Sequence, residues 1–420
     1  MLAPAPPKDR LSTLGLAAAT FFIVSGGPYG LEEIVLGHGY GGALGLLALL
    51  PVVWSLPCAL LVGELASALP ETGGYYAWVK RGLGPFWGLQ EGWLSIAYSV
   101  VDIAIYPTLL VTYLAQLFPA LGGESYGEPG WWVGMAAIAG CTAWNLGGIR
   151  GIGRGSTALA LALLAPFAVI VVLAGASLAH GGLANAAIAF RAPAAGDRGA
   201  LVGGLMLAMW NLMGFDNATT FASEVRDPGR SYPRAIVLGA IAITVTYAVS
   251  ILAAATTGLV PAQWSSGSWV SVGARLGGPA LAIAVTAGGA VSALGMYNAL
   301  LLAWSRLPVA LAQDGWLPAA LARRSARTHA PVWAVLLGGV LSALCIGLGL
   351  RRLVELDVLL YGAALLLEFA ALVALRIREP GLARPFKVPG GTAGAVALCL
   401  PPTGLILVAA WKGRGEPAAL

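Results

Sequence analysis

Charge is what this sequence has least of. Asp, Glu, Lys and Arg together make up 10% of its 420 residues, against about 25% in soluble domains. With 58% apolar residues and a mean hydropathy of +0.81, a soluble domain is excluded and a polytopic membrane protein is expected. Histidine and cysteine are almost as scarce. His38, His180 and His329 are dispersed among the expected loops, which excludes a histidine metal site. Cys58, Cys141, Cys345 and Cys399 fall in or at the edge of apolar stretches, without ligand spacing and without an extracytoplasmic pairing, so they read as core residues. No nucleophile stands with a base, so neither an enzyme nor a bound cofactor is expected. The net charge of +5 comes from short basic clusters between apolar runs and forms no patch. The partner it implies is the lipid bilayer, not nucleic acid. No small-residue cleavage site follows the first apolar stretch, so that stretch is expected to stay as a helix.

What is present is a series of long apolar runs. A spanning helix needs roughly 20 predominantly apolar residues, and that ruler gives eleven spans: 12–37, 42–69, 86–118, 131–147, 156–179, 200–223, 234–258, 279–312, 331–349, 353–375 and 392–411. A cytoplasmic N-terminus puts seventeen of the 24 Lys and Arg residues inside, including Lys8, Arg10, Lys80, Arg81, Arg226, Arg230, Arg234, Arg376, Arg378 and Arg384. That asymmetry orients the protein in the membrane. The last span carries Pro401 and Pro402 and reads as spanning, re-entrant or peripheral.

Two spans are interrupted by glycine-rich sequence that carries acid. In the first, Ser25-Gly26-Gly27-Pro28-Tyr29-Gly30 precedes Leu31-Glu32-Glu33; in the sixth, Trp210-Asn211 leads through Gly214-Phe215 to Asp216-Asn217. Glycine lowers the penalty for leaving helical dihedrals, and Pro28 lacks an N–H and clashes one turn back. The first helix should therefore stop near Ser25 and restart near Leu31. Unwound backbone at membrane depth survives only where protein or a watery cavity satisfies it. Broken helices in the first and sixth spans mark a secondary transporter with its substrate site near the midplane.

The intramembrane acids are the candidates for chemistry. Glu32 would sit in the first turn of the restarted helix, where the dipole favours a carboxylate, while Glu33 faces either the cavity or external water. Asp216 reads as a ligand or proton site, as a cap on the restarted sixth helix, or as both. Asp102, with Tyr98 and Tyr106 near it, reads as a cavity acid. Glu64 is taken as a gate or packing residue, and Glu91 in span three and Glu368 in span ten are further intramembrane acids. Tyr29, Tyr98, Trp210 and Phe215 are aromatic candidates for the pocket, since aromatic faces hold ammonium groups.

These residues resemble the amino acid, polyamine and organocation transporter superfamily, most closely its polyamine-uptake and LAT-like branch. The likeness is carried by Gly26-Gly27-Pro28-Tyr29-Gly30-Leu31-Glu32, by a long stretch through Trp54-Ser55-Leu56-Pro57, Glu64-Leu65-Ala66, Pro70-Glu71-Thr72-Gly73-Gly74-Tyr75 and Leu83-Gly84-Pro85-Phe86-Trp87-Gly88, and by Trp210-Asn211, Asp216, Glu224-Val225 and Pro233-Arg234-Ala235. The resemblance implies one all-α integral membrane domain, a LeuT-like five-plus-five inverted repeat with helices 1 and 6 broken. Repeat one would cover 12–179 and repeat two 200–375, with a peripheral helix at 392–411. It further implies alternating access in the cell membrane, often proton-driven, with Ser25, Gly26, Gly27, Tyr29, Gly30, Glu32, Asp102, Trp210, Gly214, Phe215 and Asp216 around the substrate. Pro28 removes a backbone donor that an amino acid carboxylate would use and Glu32 adds an anion, which favours a polyamine; an amino acid is the alternative, and a transporter-like sensor a third reading. The sequence departs from the family in lacking a twelfth span and in carrying no Lys or Arg inside span five. Proton coupling would then run through a carboxylate: Asp216, Glu32 or Asp102.

Overall fold

The computed structural model describes residues 12–69, 74–123, 125–147, 156–194, 198–215, 228–328 and 330–413. Fifteen α-helices occur among them: α1 Thr13–Val24, α2 Glu32–Leu50, α3 Leu56–Ala68, α4 Gly74–Leu83, α5 Pro85–Leu117, α6 Pro129–Leu146, α7 Ser156–Ser177, α8 Gly182–Arg191, α9 Arg198–Trp210, α10 Pro228–Ala255, α11 Trp269–Trp304, α12 Arg306–Gln313, α13 Val332–Cys345, α14 Leu350–Arg378 and α15 Gly391–Gly413. Seven helical runs are long and apolar enough to cross a membrane: Glu32–Ala68, Pro85–Leu117, Leu163–His180, Arg234–Ala255, Trp269–Gln313, Leu350–Arg378 and Gly391–Trp411. The other four expected spans appear as the shorter or less apolar α1, α6, α9 and α13. Of these, α1 is short because it is the first half of a broken helix that resumes at Glu32, and α9 ends at Trp210 before the turn at Gly214.

The run Glu32–Ala68 is longer than a bilayer requires. Its 37 residues would stretch about 55 Å as one helix, against a hydrocarbon core of about 30 Å. Gly39, at φ 67 and ψ 176, divides it into two limbs. The loop expected around 38–41 is thus a single-residue turn, and His38 lies inside helix instead of in a loop, a correction to the sequence reading. A similar break at Gly278 (φ 69, ψ −165) separates the first turns of α11 from its long limb.

The most deeply buried of the long helices is α5, which packs chiefly on α11 and α14. Neighbours recur in pairs: α5 lies against α14 as α11 lies against α7, and α5 meets α6 as α11 meets α13. Large apolar side chains on the outer faces remain exposed, among them Val172 on α7 and Leu407 and Trp411 on α15, as lipid-facing surfaces require. Cys58 and Cys141 are buried, Cys345 and Cys399 half-buried, and none of the four forms a disulfide. Among the described residues no group of His, Cys, Asp and Glu is placed to hold a metal.

Candidate functional site

The first break forms where the sequence puts it. Ser25 leaves the helix at φ −120 and ψ 112, its N–H still bonded to the Phe21 carbonyl at 2.8 Å, and helix resumes at Glu32. Gly27 adopts φ +85, and a Cβ there would also meet Leu163 at 2.8 Å, so the position admits only glycine without strain. Each freed backbone group named here finds a protein partner. The Pro28 carbonyl accepts from Trp269 Nε1 at 2.8 Å and the Gly26 carbonyl from Ser292 Oγ at 2.7 Å. The Gly27 N–H donates to Ser25 Oγ at 3.2 Å and the Gly30 N–H to Glu32 Oε2 at 2.8 Å.

The second break follows α9. Trp210 ends the helix and Gly214 turns at φ +89. Asn211 bridges the two breaks, its Nδ2 donating to Leu207 O at 2.9 Å and to Gly30 O at 3.4 Å. Tyr247 adds a second bridge, from its hydroxyl to Ser25 Oγ at 2.8 Å and to Asn211 O at 3.4 Å. A π-helical segment, Pro51–Ser55, aims Ser55 Oγ at the Leu212 carbonyl, 2.8 Å away. Such π-bulges recur at functional sites, and nothing in the apolar pattern of span two announces this one. Asp216 and Asn217 lie outside the described residues.

Between the breaks lies a narrow cleft, part of it open to solvent. Of the sequence candidates, Gly26, Tyr29, Asp102, Trp210 and Gly214 line it, together with Tyr98 and Asn211. Tyr106, Tyr113, Tyr361, Met213, Gly289 and Ser292 also line it. Most of the α5 contribution was legible as a helical stripe, since Tyr98, Asp102, Tyr106, Leu109 and Tyr113 recur every three or four residues. Tyr361, from distant α14, carries no such local signal. Among the described residues Asp102 is the one charged residue in the lining. Its Oδ1 accepts from Trp210 Nε1 at 3.0 Å. Aromatic rings enclose the rest: Tyr98 meets Tyr361 edge-on at 5.2 Å, Tyr29 meets Tyr113 at 4.9 Å, and Tyr106 tilts against Trp210 at 6.1 Å.

Ser25, Gly27, Gly30, Glu32 and Phe215 do not face the cleft. They build its frame. Glu32 is 1% exposed, and its carboxylate accepts from the Tyr113 hydroxyl, the Gly30 N–H and the Gly267 N–H, the last at 3.2 Å. Next to it Glu33 accepts from Ser266 Oγ at 2.9 Å. The two acids thus tie α2 to the loop before α11. Glu64 is also placed in structure and not in the cleft: it meets Arg376 and Arg384 in a buried ion cluster, with the Val388 N–H on Oε2 at 2.7 Å. Glu91, fully buried, accepts from Ser95 at 2.8 Å.

A helical membrane bundle in which helix stops at Ser25 and again at Trp210 on either side of one pocket is the framework of a secondary transporter. Residues 15–410 match the model of the Amino acid permease family. The chain therefore belongs to that family. It is 36% identical to the polyamine transporter PUT1 of Oryza sativa subsp. japonica, over 96% of this chain and 74% of the relative. Identity to the polyamine transporter RMV1 of Arabidopsis thaliana is 31%, over 94% and 79%. Among solved structures, MhsT in complex with L-phenylalanine superposes with a TM-score of 0.64 at 16% identity, covering 95% of this chain and 98% of that one. That likeness establishes the fold, an all-α LeuT-like bundle. The protein is a multi-pass membrane transporter of a small molecule and not an enzyme.

Proposed function

We propose that the protein carries polyamines across the membrane by alternating access, with protons as the coupling ion. The observation that carries this reading is the lining of the cleft, which among the described residues holds one carboxylate, Asp102, with six aromatic side chains and no cation. A desolvated carboxylate attracts an ammonium group strongly, and each aromatic face adds about 0.5–2 kcal/mol of cation–π attraction. The polyamine relatives support the same substrate class. The first break argues against an amino acid carboxylate as the chief ligand. Pro28 has no N–H, and the N–H groups of Gly27 and Gly30 are already taken by Ser25 and Glu32.

Asp102 is the substrate acid in this reading, and Glu32 the acid that exchanges a proton. Its three partners are a hydroxyl and two backbone N–H groups, all neutral, so protonating it strands no buried cation. Asp216 stays a candidate for either role on sequence grounds. The recurring neighbour pairs, α5 with α14 and α7 with α11, support a five-plus-five repeat with α15 outside it. The basic clusters support a cytoplasmic N-terminus, and the family supports the cell membrane.

The test is uptake into proteoliposomes under an inward proton gradient, with labelled putrescine and spermidine set against neutral and basic amino acids. Polyamine uptake that falls at least about tenfold in Asp102→Asn, the loss of one charged hydrogen bond, supports the reading. Amino acid uptake that survives Asp102→Asn, with no polyamine uptake by the unaltered protein, would end it.

A further inference from the structure

Asp357 lies two turns into α14, fully buried, and no role given above uses it. A carboxylate inside a membrane-spanning helix is costly enough to mark function by default. Its place relative to the cleft follows from how α14 lies on α5. At one end Arg378 Nη1 donates to the Gly82 carbonyl at 2.8 Å, just before α5 begins. Further along, the Tyr361 ring stands 5.2 Å from that of Tyr98. The end of α14 thus meets the start of α5, and the two helices run antiparallel.

Moving back along α14 is therefore moving forward along α5. One turn back from Tyr361 is Asp357, and one turn forward from Tyr98 is Asp102. Each step is four residues, about 6 Å of rise on the same helix face. Asp357 and Asp102 come to one level on facing helices. Tyr106, a further turn along α5, lines the cleft and lies within the field of both carboxylates. In a poorly solvated interior such a field is felt strongly. Tyr361, four residues from Asp357, carries the cleft's wall on the α14 side.

We propose that Asp357 is a specificity-determining residue of this pocket: with Asp102 it makes an anionic field across the cleft that selects a second ammonium group, favouring α,ω-diamines over monoamines. This rests on the reading of the cleft as an amine site and adds to it a reason for divalent substrates. A monoamine needs only Asp102. A diamine is drawn by both acids, and Asp357 acts on it through the wall formed by Tyr106 and Tyr361.

The experiment is competition binding on the purified full chain, with labelled putrescine displaced by unlabelled putrescine or by butylamine, for the unaltered protein, Asp357→Asn and Asp357→Glu. Asp357→Asn should weaken putrescine binding by about tenfold or more, the scale of one charged interaction, and leave butylamine within about threefold. Asp357→Glu, which keeps the charge on a longer arm, should retain the preference for diamines and shift it among spacers of different length. Equal loss of both amines, or an unchanged preference in Asp357→Asn, overturns the inference. Where Asp357→Asn does not fold, Asp357→Glu decides: an unshifted order of diamines overturns it. A lack of amine binding by the unaltered protein would instead sink the functional reading on which the inference rests.

Discussion

Glu32 and Glu64 are both carboxylates buried inside the bundle, 1% and 0% exposed, yet they are held by opposite means. Glu64 faces two guanidinium groups. Arg376 donates through Nε to Oε1 at 2.9 Å and through Nη2 to Oε2, and Arg384 Nε stands 3.2 Å from Oε1. Among the described residues Glu32 has only neutral donors. Removing charge from Glu64 leaves two buried cations without an anion, whereas Glu32 can gain a proton with little disturbance around it. One acid is fixed by its surroundings and the other is free to switch. The membrane interior tolerates both, because in each case protein supplies what water would have.

The largest expected effect breaks the fixed acid. Glu64→Ala should lower stability by about 3–5 kcal/mol, the cost of stranding a buried pair's other half. Arg376 also donates to the Val388 and Gly391 carbonyls, so the connection between α14 and α15 should loosen with it. Thermal unfolding in detergent measures the change, and a variant as stable as the parent would show that the cluster contributes nothing. Glu32→Ala leaves neutral donors unsatisfied and should cost less, about 1–3 kcal/mol. An equal or larger loss than for Glu64→Ala would reverse the comparison.

Glu32→Gln sharpens it further. The amide keeps size and an acceptor oxygen, so stability should stay within about 1 kcal/mol, while the pH dependence of uptake flattens. Full pH dependence in this variant would remove Glu32 from the proton path. The smallest effect belongs to the exposed pairs around α4. Lys80 donates to Asp314 at 2.5 Å, with 38% and 35% of the side chains exposed, and Tyr76 donates to the same carboxylate at 2.6 Å. The Lys80 ammonium holds the Asp314 carboxyl below its ordinary range, and Asp314 holds Lys80 above its own. A depressed carboxyl stabilises the fold above its unfolded value and loses that effect in acid; a raised ammonium stabilises below its unfolded value and loses it in base. Between about pH 5 and 9 the pair therefore adds no slope. Lys80→Ala should cost under about 1 kcal/mol at any pH in that window, and an unfolding midpoint that moves with pH there would contradict the assignment.

Much of the site was legible before any fold was known. Pro28 among three glycines and a serine could not sit in a helix, so Ser25 ends one and Glu32 starts the next. Asp102 stood out because an acid in a span must have a reason, and its helical neighbours Tyr98 and Tyr106 came with it. What the pattern hid was direction. Glu32 sits in the right turn of the right helix, but its carboxylate swings to Tyr113 and Gly267, residues 81 and 235 positions away. The span count likewise could not see that Gly39 would join two spans through a single turn.

Class and breaks were thus determined by the sequence alone, because composition decides whether a chain can live in water or in lipid, and local steric rules decide where a helix can no longer continue. Which acid faces the cleft, which one ties α2 to the loop before α11, and which is pinned by arginines was decided only by the tertiary structure. Those roles depend on donors that arrive from remote helices, and a buried carboxylate takes its character from the charges and N–H groups that happen to surround it.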